Sequence, residues 1–198
     1  KSRRESKGVP FQDHRKRLTR GVEFGKMSSK METLDFRYKF KLGDGIEKEF
    51  EVRLDKETLR LIPHEKESAP QWTELTHCQC PNCPLDTAKN KYCPVAWNLA
   101  DIIDFFKKSI SYEEADLTIE TQERGYFKRV PLQKGISSLL GIYMVTSGCP
   151  VLDKLKPMAR FHLPFANSEE TQYRVISMYL LAQYFLKKRG KKPDWDLK

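Results

Sequence analysis

Five cysteines are the residues of this chain whose type and spacing could do chemistry. Cys78, Cys80, Cys83 and Cys93 fall within sixteen residues, and Cys149 lies far downstream. An odd number of cysteines argues against a disulfide framework. The two-residue gap between Cys80 and Cys83 lets both thiolates face one ion, and clustered thiols in a reducing compartment most often bind metal. The spacing therefore predicts a metal site.

Proline follows four of the five cysteines. Because proline fixes φ and removes a backbone donor, it stiffens the chain beside each sulfur. The preferred ligands are these four cysteines: Cys80, Cys83, Cys93 and Cys149. Three further side chains are held in reserve: Cys78, His77 and His162. The preferred set would close a loop of 55 residues between Cys93 and Cys149, and the fallback set replaces Cys149 by Cys78.

Zinc and an iron-sulfur cluster are both compatible with four cysteines. Zinc is the commoner structural ion for such sites, and a Cys-Pro ending belongs to the bacterial ferredoxin pattern. Neither the paired spacing of a zinc ribbon nor the close run of a ferredoxin is present. One loop with three ligands and a remote fourth favours the cluster slightly. The alternative that the thiols bind no metal stays open.

Arg160 and His162 form a second candidate site. Two residues apart, they share one face if the segment is extended, and a cation beside an imidazole could hold an anion or contact a partner. The alternative is that Arg160 pairs with a carboxylate while His162 makes a hydrogen bond in the core. No Ser/His/Asp order, zinc-protease motif or phosphate-binding glycine loop is found, so the sequence does not favour an enzyme.

The net charge of +9 is concentrated at the start of the chain. Residues 1–30 hold ten Lys/Arg and three Asp/Glu, a net charge of +7, which leaves +2 for residues 31–198. We expect a basic, flexible arm that is either simply solvated or anchors a nucleic acid or an acidic protein. Six cations of the arm are candidates for nucleic-acid contacts: Arg3, Arg4, Arg15, Lys16, Arg17 and Arg20.

Two hairpins are predicted from side chains that alternate between apolar and polar. The first spans residues 34–42 and 46–54 around a Gly-Asp-Gly turn, and the second lies within residues 117–132. Lys48 stands where the alternation requires an apolar residue, which predicts a bulge. A further short strand is predicted at residues 58–62.

Three helices follow from apolar residues at helical spacing, over residues 95–110, about 136–144 and about 168–188. A short extended piece is predicted at residues 72–76. Asn167 or Ser168 is expected to cap the last helix, with carboxylates in its first turn. Four of its side chains are predicted to face the core: Tyr173, Ile176, Leu180 and Tyr184.

The elements together predict an α+β fold, with antiparallel hairpins packed under three helices and a cysteine-rich central loop. We expect one domain over residues 31–198 with residues 1–30 attached as the arm. No apolar run reaches the roughly 18 to 20 residues that cross a bilayer, so we expect a soluble, cytoplasmic protein of unknown oligomeric state without membrane contact.

Three motifs carry a resemblance. Residues 80–85 (CPNCPL), 147–150 (SGCP) and 157–166 (PMARFHLPFA) together resemble an uncharacterised family of bacterial proteins of unknown function, over about residues 31–198. The resemblance implies a small bacterial cytoplasmic domain and supplies no activity.

The leading hypothesis is a non-enzymatic metal-binding domain, iron-sulfur or zinc, with a structural or sensing role. Two alternatives stay open. One is a nucleic-acid or ribonucleoprotein component anchored by the basic arm, and the other is a redox protein that uses an iron-sulfur cluster.

Overall fold

The computed structural model describes residues 32–63, 66 and 68–196 of the chain. The predictions made for the basic arm, residues 1–30, lie outside the described residues.

Four antiparallel strands form one sheet within the described residues. β1 (Thr33–Lys41) and β2 (Glu47–Asp55) form one hairpin, and β3 (Glu114–Thr121) and β4 (Gly125–Pro131) form the other. The strand order is β2-β1-β3-β4, because β1 also pairs with β3. The two predicted hairpins are confirmed and are joined through their central strands.

The two faces of the sheet differ sharply in polarity. Tyr38 and Phe40 of β1 are buried to 0% and 1% exposure, and Leu117 of β3 is fully buried beside them. On the opposite face the cations of β1 lie between acidic neighbours, as where Lys39 Nζ approaches Glu120 Oε1 of β3 at 2.9 Å. Exposed ion pairs of this kind contribute little to stability, so the fold depends on the apolar face.

Two helices cover the apolar face: α1 (Pro94–Phe106) and α2 (Leu132–Thr146). α2 approaches the sheet closely at Gly135, where an added Cβ would lie 3.0 Å from Leu117 Cδ2 and 3.1 Å from Phe40 Cε1. A glycine at this position of the helix therefore sets the distance between the two layers.

The remaining segments follow α2. A 3₁₀ helix spans Leu152–Ala159, and α3 covers Ser168–Lys188. Asn167 caps α3 as predicted: its side chain accepts a hydrogen bond from the Glu170 backbone N–H at 2.8 Å, and the Glu170 carboxylate accepts one from the Asn167 N–H. The α+β class predicted from the sequence is confirmed.

Several local predictions are wrong. Lys48 makes no bulge, because it pairs in register with Phe40, and its ammonium lies 5.5 Å from the centre of the Phe50 ring. Residues 58–62 form a single bridge between Leu61 and Leu54 instead of a strand. The segment 72–76 begins inside a 3₁₀ helix, Gln71–Thr73.

The prediction for the apolar side of α3 is also wrong. Its four side chains predicted to face the core are exposed, from 38% for Leu180 to 74% for Tyr173. The described residues include no helix long and apolar enough to cross a membrane.

Candidate metal centre

The cysteine loop, residues 76–90, is closed at its base by backbone pairing. The Leu75 N–H donates to the Lys91 carbonyl at 2.9 Å, and the Cys93 N–H donates to the Thr73 carbonyl at 2.9 Å. Leu75 and Thr73 are almost completely buried, at 1% and 0% exposure. The two ends of the loop are therefore anchored in the domain while most of its residues remain at the surface.

Cys80 and Cys83 are brought together by a tight turn. The Cys83 N–H donates to the Cys80 carbonyl at 2.9 Å across Pro81 and Asn82. Proline suits the second position of such a turn because its φ is already near the required value. The Gln79 side chain donates to the Leu85 carbonyl at 2.8 Å and so holds the segment around the turn.

Cys149 lies in the other half of the chain, just after the end of α2. Gly148 adopts a left-handed conformation with φ of 87°, which ends the helix and turns the chain. Cys149 follows with 8% exposure, and its carbonyl accepts a hydrogen bond from the Asp153 N–H at 2.9 Å. This cysteine is therefore fixed between α2 and the 3₁₀ helix that follows.

The electrostatics link three of these thiols. The pKa of Cys80 is raised above its ordinary value, first by desolvation, then by Cys83, which acts through its charge and a hydrogen bond, and then by the charge of Cys149. The charge of Cys149 is the smallest of the causes that raise this pKa. Cys80 is exposed as a residue, so its desolvation is partial.

The other predicted ligands occupy different places. Cys93 is half-buried at the N-cap of α1, where its carbonyl accepts from the Trp97 N–H at 2.9 Å. Cys78 and His77 are exposed in the loop. Across residues 32–63, 66 and 68–196, no group of three or more His, Cys, Asp or Glu side chains is arranged so that it could hold a metal ion.

His162, a reserve ligand, lies away from this turn and contacts β1. Its Nε2 atom and the Tyr38 hydroxyl share a hydrogen bond of 2.5 Å, and the Tyr38 hydroxyl also lies 3.3 Å from Ser138 Oγ of α2. Burial, and secondarily the charge of Arg174, lower the pKa of His162 to about 4, while burial raises the pKa of Tyr38. The imidazole is therefore neutral near pH 7.

Arg160 lines the same cavity as His162, of about 220 Å³, but it has a different partner. Its Nη2 atom donates to the Lys56 carbonyl at 2.5 Å. Arg174 of α3 donates in turn to the Phe161 carbonyl at 2.6 Å. The Arg160 side chain thus ties the segment around His162 to the Lys56 carbonyl, and Arg174 holds the same segment by its backbone.

Sequence reasoning missed the residues that surround His162. Tyr38 is one of the alternating side chains of β1 that face the core, and the sequence pattern indicated no other role for it. Arg174 lies on α3, and its spacing gives no sign of a contact with the segment around His162. A buried hydroxyl facing an imidazole is separated from it by 124 positions, and no local spacing could indicate that pairing.

The model of a family described as Domain of unknown function (DUF6901) matches residues 36–198. No curated protein and no solved structure matches the chain.

Proposed function

The chain belongs to the DUF6901 family of domains of unknown function, and we propose that its cysteine loop is joined to the end of α2 by a thiolate-bound metal ion or iron-sulfur cluster. The observation that carries this proposal is the turn that brings Cys80 and Cys83 together, closed by the hydrogen bond from the Cys83 N–H to the Cys80 carbonyl at 2.9 Å. The raised pKa of Cys80, to which Cys83 and Cys149 contribute, supports it. Cys149, at the end of α2, is the proposed ligand that would link this turn to the helical half of the domain. The role would be structural, or sensing where the metal is exchangeable.

Repulsion between thiolates is the physical reason to invoke a cation. Without an ion, each neighbouring thiolate opposes ionisation of Cys80, which is the direction of its shift. A bound cation reverses this, because a coordinating thiol is deprotonated outright. Without a cation, the three sulfurs oppose one another's ionisation. With a soft metal ion bound between them, all three would be stabilised as thiolates.

The same shift argues against Cys80 as the nucleophile of a thiol-disulfide exchange site. Cysteines used for exchange have a lowered pKa, because the thiolate is the nucleophile. The pKa of Cys80 is moved in the opposite direction. Nucleophilic chemistry is therefore disfavoured at Cys80.

Cys93 is the proposed fourth ligand. It follows the anchored base of the cysteine loop and precedes Pro94, the first residue of α1. Metal binding would draw residues 76–90 closer to Cys149 than they now lie. Because this loop is mostly exposed, such a movement would break few packing contacts. Coupling the loop to α2 would contribute to stability, since a site built from distant segments does not exist in the unfolded chain.

Metal analysis of protein purified without oxygen tests the proposal. We expect stoichiometric zinc or iron, with absorption near 400 nm if the metal is an iron-sulfur cluster. Cys80→Ser, Cys83→Ser and Cys149→Ser should each lose the metal. Cys78→Ser is the matched control, because Cys78 is an exposed loop cysteine outside the proposed set.

A second readout separates ligation from simple damage to the buried Cys149. A chelator should lower the melting temperature of the wild type and of Cys78→Ser, and should have no further effect on Cys149→Ser. Full metal occupancy in Cys149→Ser, or no stoichiometric metal in the wild type, contradicts the proposal. Retention of metal by Cys93→Ser would remove only the fourth ligand.

A further inference from the structure

The longest helix, α3, carries a row of large apolar side chains that solvent reaches. Their exposure ranges from 38% for Leu180 to 74% for Tyr173. Four members recur at spacings of three or four residues, Tyr173, Ile176, Leu180 and Tyr184, and Leu181 and Phe185 lie beside the last two, so the six lie along one side of the helix. We call this row the α3 stripe: Tyr173, Ile176, Leu180, Leu181, Tyr184 and Phe185. A contiguous apolar row of this size at a surface marks an interaction site.

The rest of the protein holds α3 by its other sides. Tyr179 donates its hydroxyl hydrogen to Asp194 Oδ2 at 2.7 Å, and Gln183 Oε1 accepts from the Asp194 N–H at 2.9 Å. Arg174 reaches the Phe161 carbonyl at 2.6 Å. These contacts fix the helix and leave the α3 stripe exposed.

The sequence of α3 is partly self-complementary about a point near its middle, between positions 178 and 179. Two antiparallel copies related by a two-fold axis between positions 178 and 179 place residue i opposite residue 357 − i, since 178 + 179 = 357. Tyr173 then lies opposite Tyr184 of the second copy, and Ile176 lies opposite Leu181. Four of the six stripe residues therefore meet another stripe residue, as an isologous interface requires, while Leu180 lies opposite Ser177 and Phe185 lies opposite Gln172.

The charges at the two ends follow the same symmetry. The first turn of α3 contains Glu169 and Glu170, and its last turn contains Lys187 and Lys188. In the antiparallel pair Glu169 lies opposite Lys188, and Glu170 opposite Lys187. The helix dipoles also oppose each other favourably. A parallel pair would instead place like charges together, which disfavours that arrangement.

The area of the stripe suits an interface between two copies. Six side chains of roughly 200 Å² each, about half exposed, offer roughly 600 Å² of apolar surface per copy. A stable interface of standard size buries about 800 Å² per partner, with a polar rim around an apolar centre. The charged turns at both ends of α3 supply that rim.

We propose that this chain forms a symmetric homodimer in which the α3 stripes of two copies pack antiparallel. The chain itself is the partner because it supplies both the apolar centre and the opposite charges at the matching positions. This inference is independent of metal binding at the cysteines.

Analytical ultracentrifugation of the full chain over a range of concentrations tests the dimer. Leu180→Glu should weaken dimerisation by about 100-fold or more, because two unpaired carboxylates would enter one apolar interface. Tyr173→Glu should also weaken it. Tyr112→Glu is the matched control, since Tyr112 has the same 74% exposure as Tyr173 but lies outside α3. Circular dichroism checks that each variant stays folded.

A charge exchange tests the antiparallel register. Glu169→Lys and Lys188→Glu should each weaken self-association by about tenfold, because each dimer contains the affected pair twice. An equimolar mixture of the two variants should form a heterodimer in which every pair is again opposite in sign. Loss of folding cannot produce this rescue. The mixing experiment therefore tests the register even if one variant is less stable than the wild type.

Three results would overturn the dimer. One is a wild type that stays monomeric well above micromolar concentration. Another is a dimer that neither Leu180→Glu nor the charge exchange affects. The third is a monomeric full chain that dimerises once residues 1–31 are removed, because those residues would then cover the stripe within one chain.

Discussion

Neutral His162 makes the stability of this protein depend on pH in a defined direction. The pKa of its imidazole is about 4 in the folded chain, against an ordinary value of 6.5. Between these two values the unfolded state binds more protons, so stability rises with pH through this window. The contribution of His162 is fully present above pH 6.5 and is lost as the pH falls toward 4.

The magnitude follows from the size of the shift. One pKa unit corresponds to about 1.4 kcal/mol, so the whole difference is worth about 3 kcal/mol. Linkage between the two pKa values predicts a loss of about 2 kcal/mol between pH 7.5 and pH 5.0. Carboxylates with a lowered pKa, such as Glu120, lose their contribution to the stability of the protein only at lower pH. The change between pH 7.5 and pH 5.0 therefore reports mainly on the imidazole.

Urea unfolding followed by tryptophan fluorescence measures this loss, because the chain contains three tryptophans. Protein concentration is held fixed, since dimerisation would shift apparent stability. The wild type should lose about 2 kcal/mol from pH 7.5 to pH 5.0, and His162→Gln should lose much less because glutamine does not titrate. Tyr38→Phe should keep the pH slope, since burial and Arg174 cause the shift. Equal losses in the wild type and His162→Gln would refute the reasoning.

Two further predictions concern the helices. Gly135→Ala should lower the free energy of unfolding by about 1 kcal/mol, because the new methyl crowds Leu117 at 3.0 Å and this outweighs the gain in helix propensity. Gly141→Ala, on the same helix with no atom within 4 Å of the added carbon, should raise it by up to about 1 kcal/mol; equal effects in chemical denaturation would contradict the account of the close approach. Asn167→Ala should cost about 1 kcal/mol by removing the acceptor for the Glu170 N–H, whereas Asn167→Ser should restore most of it, as judged by the melting temperature.

The elements that the sequence predicted are those with a strong local cause. Alternation over β1 and β2 requires one face to be buried, and the pairing of Phe36 with Val52 puts both side chains on that face. Asn167 was predicted as a cap because it precedes two glutamates and an apolar helix. Lys48 broke the alternation without a bulge because its long side chain leaves the apolar face and lies over the Phe50 and Phe105 rings.

The candidate sites could be predicted only in part. The two-residue gap between Cys80 and Cys83 is a local signal, and the turn that joins them follows from it. The position of Cys149 depends on where α2 ends, which no spacing along the chain records. Tyr38 and His162 meet because β1 and the segment after the 3₁₀ helix pack together. Such pairings arise from the tertiary fold and leave no periodic pattern in the sequence.

The error at α3 follows from what periodicity measures. Apolar residues at helical spacing indicate that one side of a helix is covered, but they do not identify what covers it. For α1 and α2 that cover is the sheet. In α3 the apolar side of the helix faces solvent, where Tyr173 and Leu180 are 74% and 38% exposed. If the pattern has the same physical cause in all three helices, the cover of α3 comes from outside the described fold, and the opposite charges of Glu169 and Lys188 at its two ends fit a second copy of the same helix.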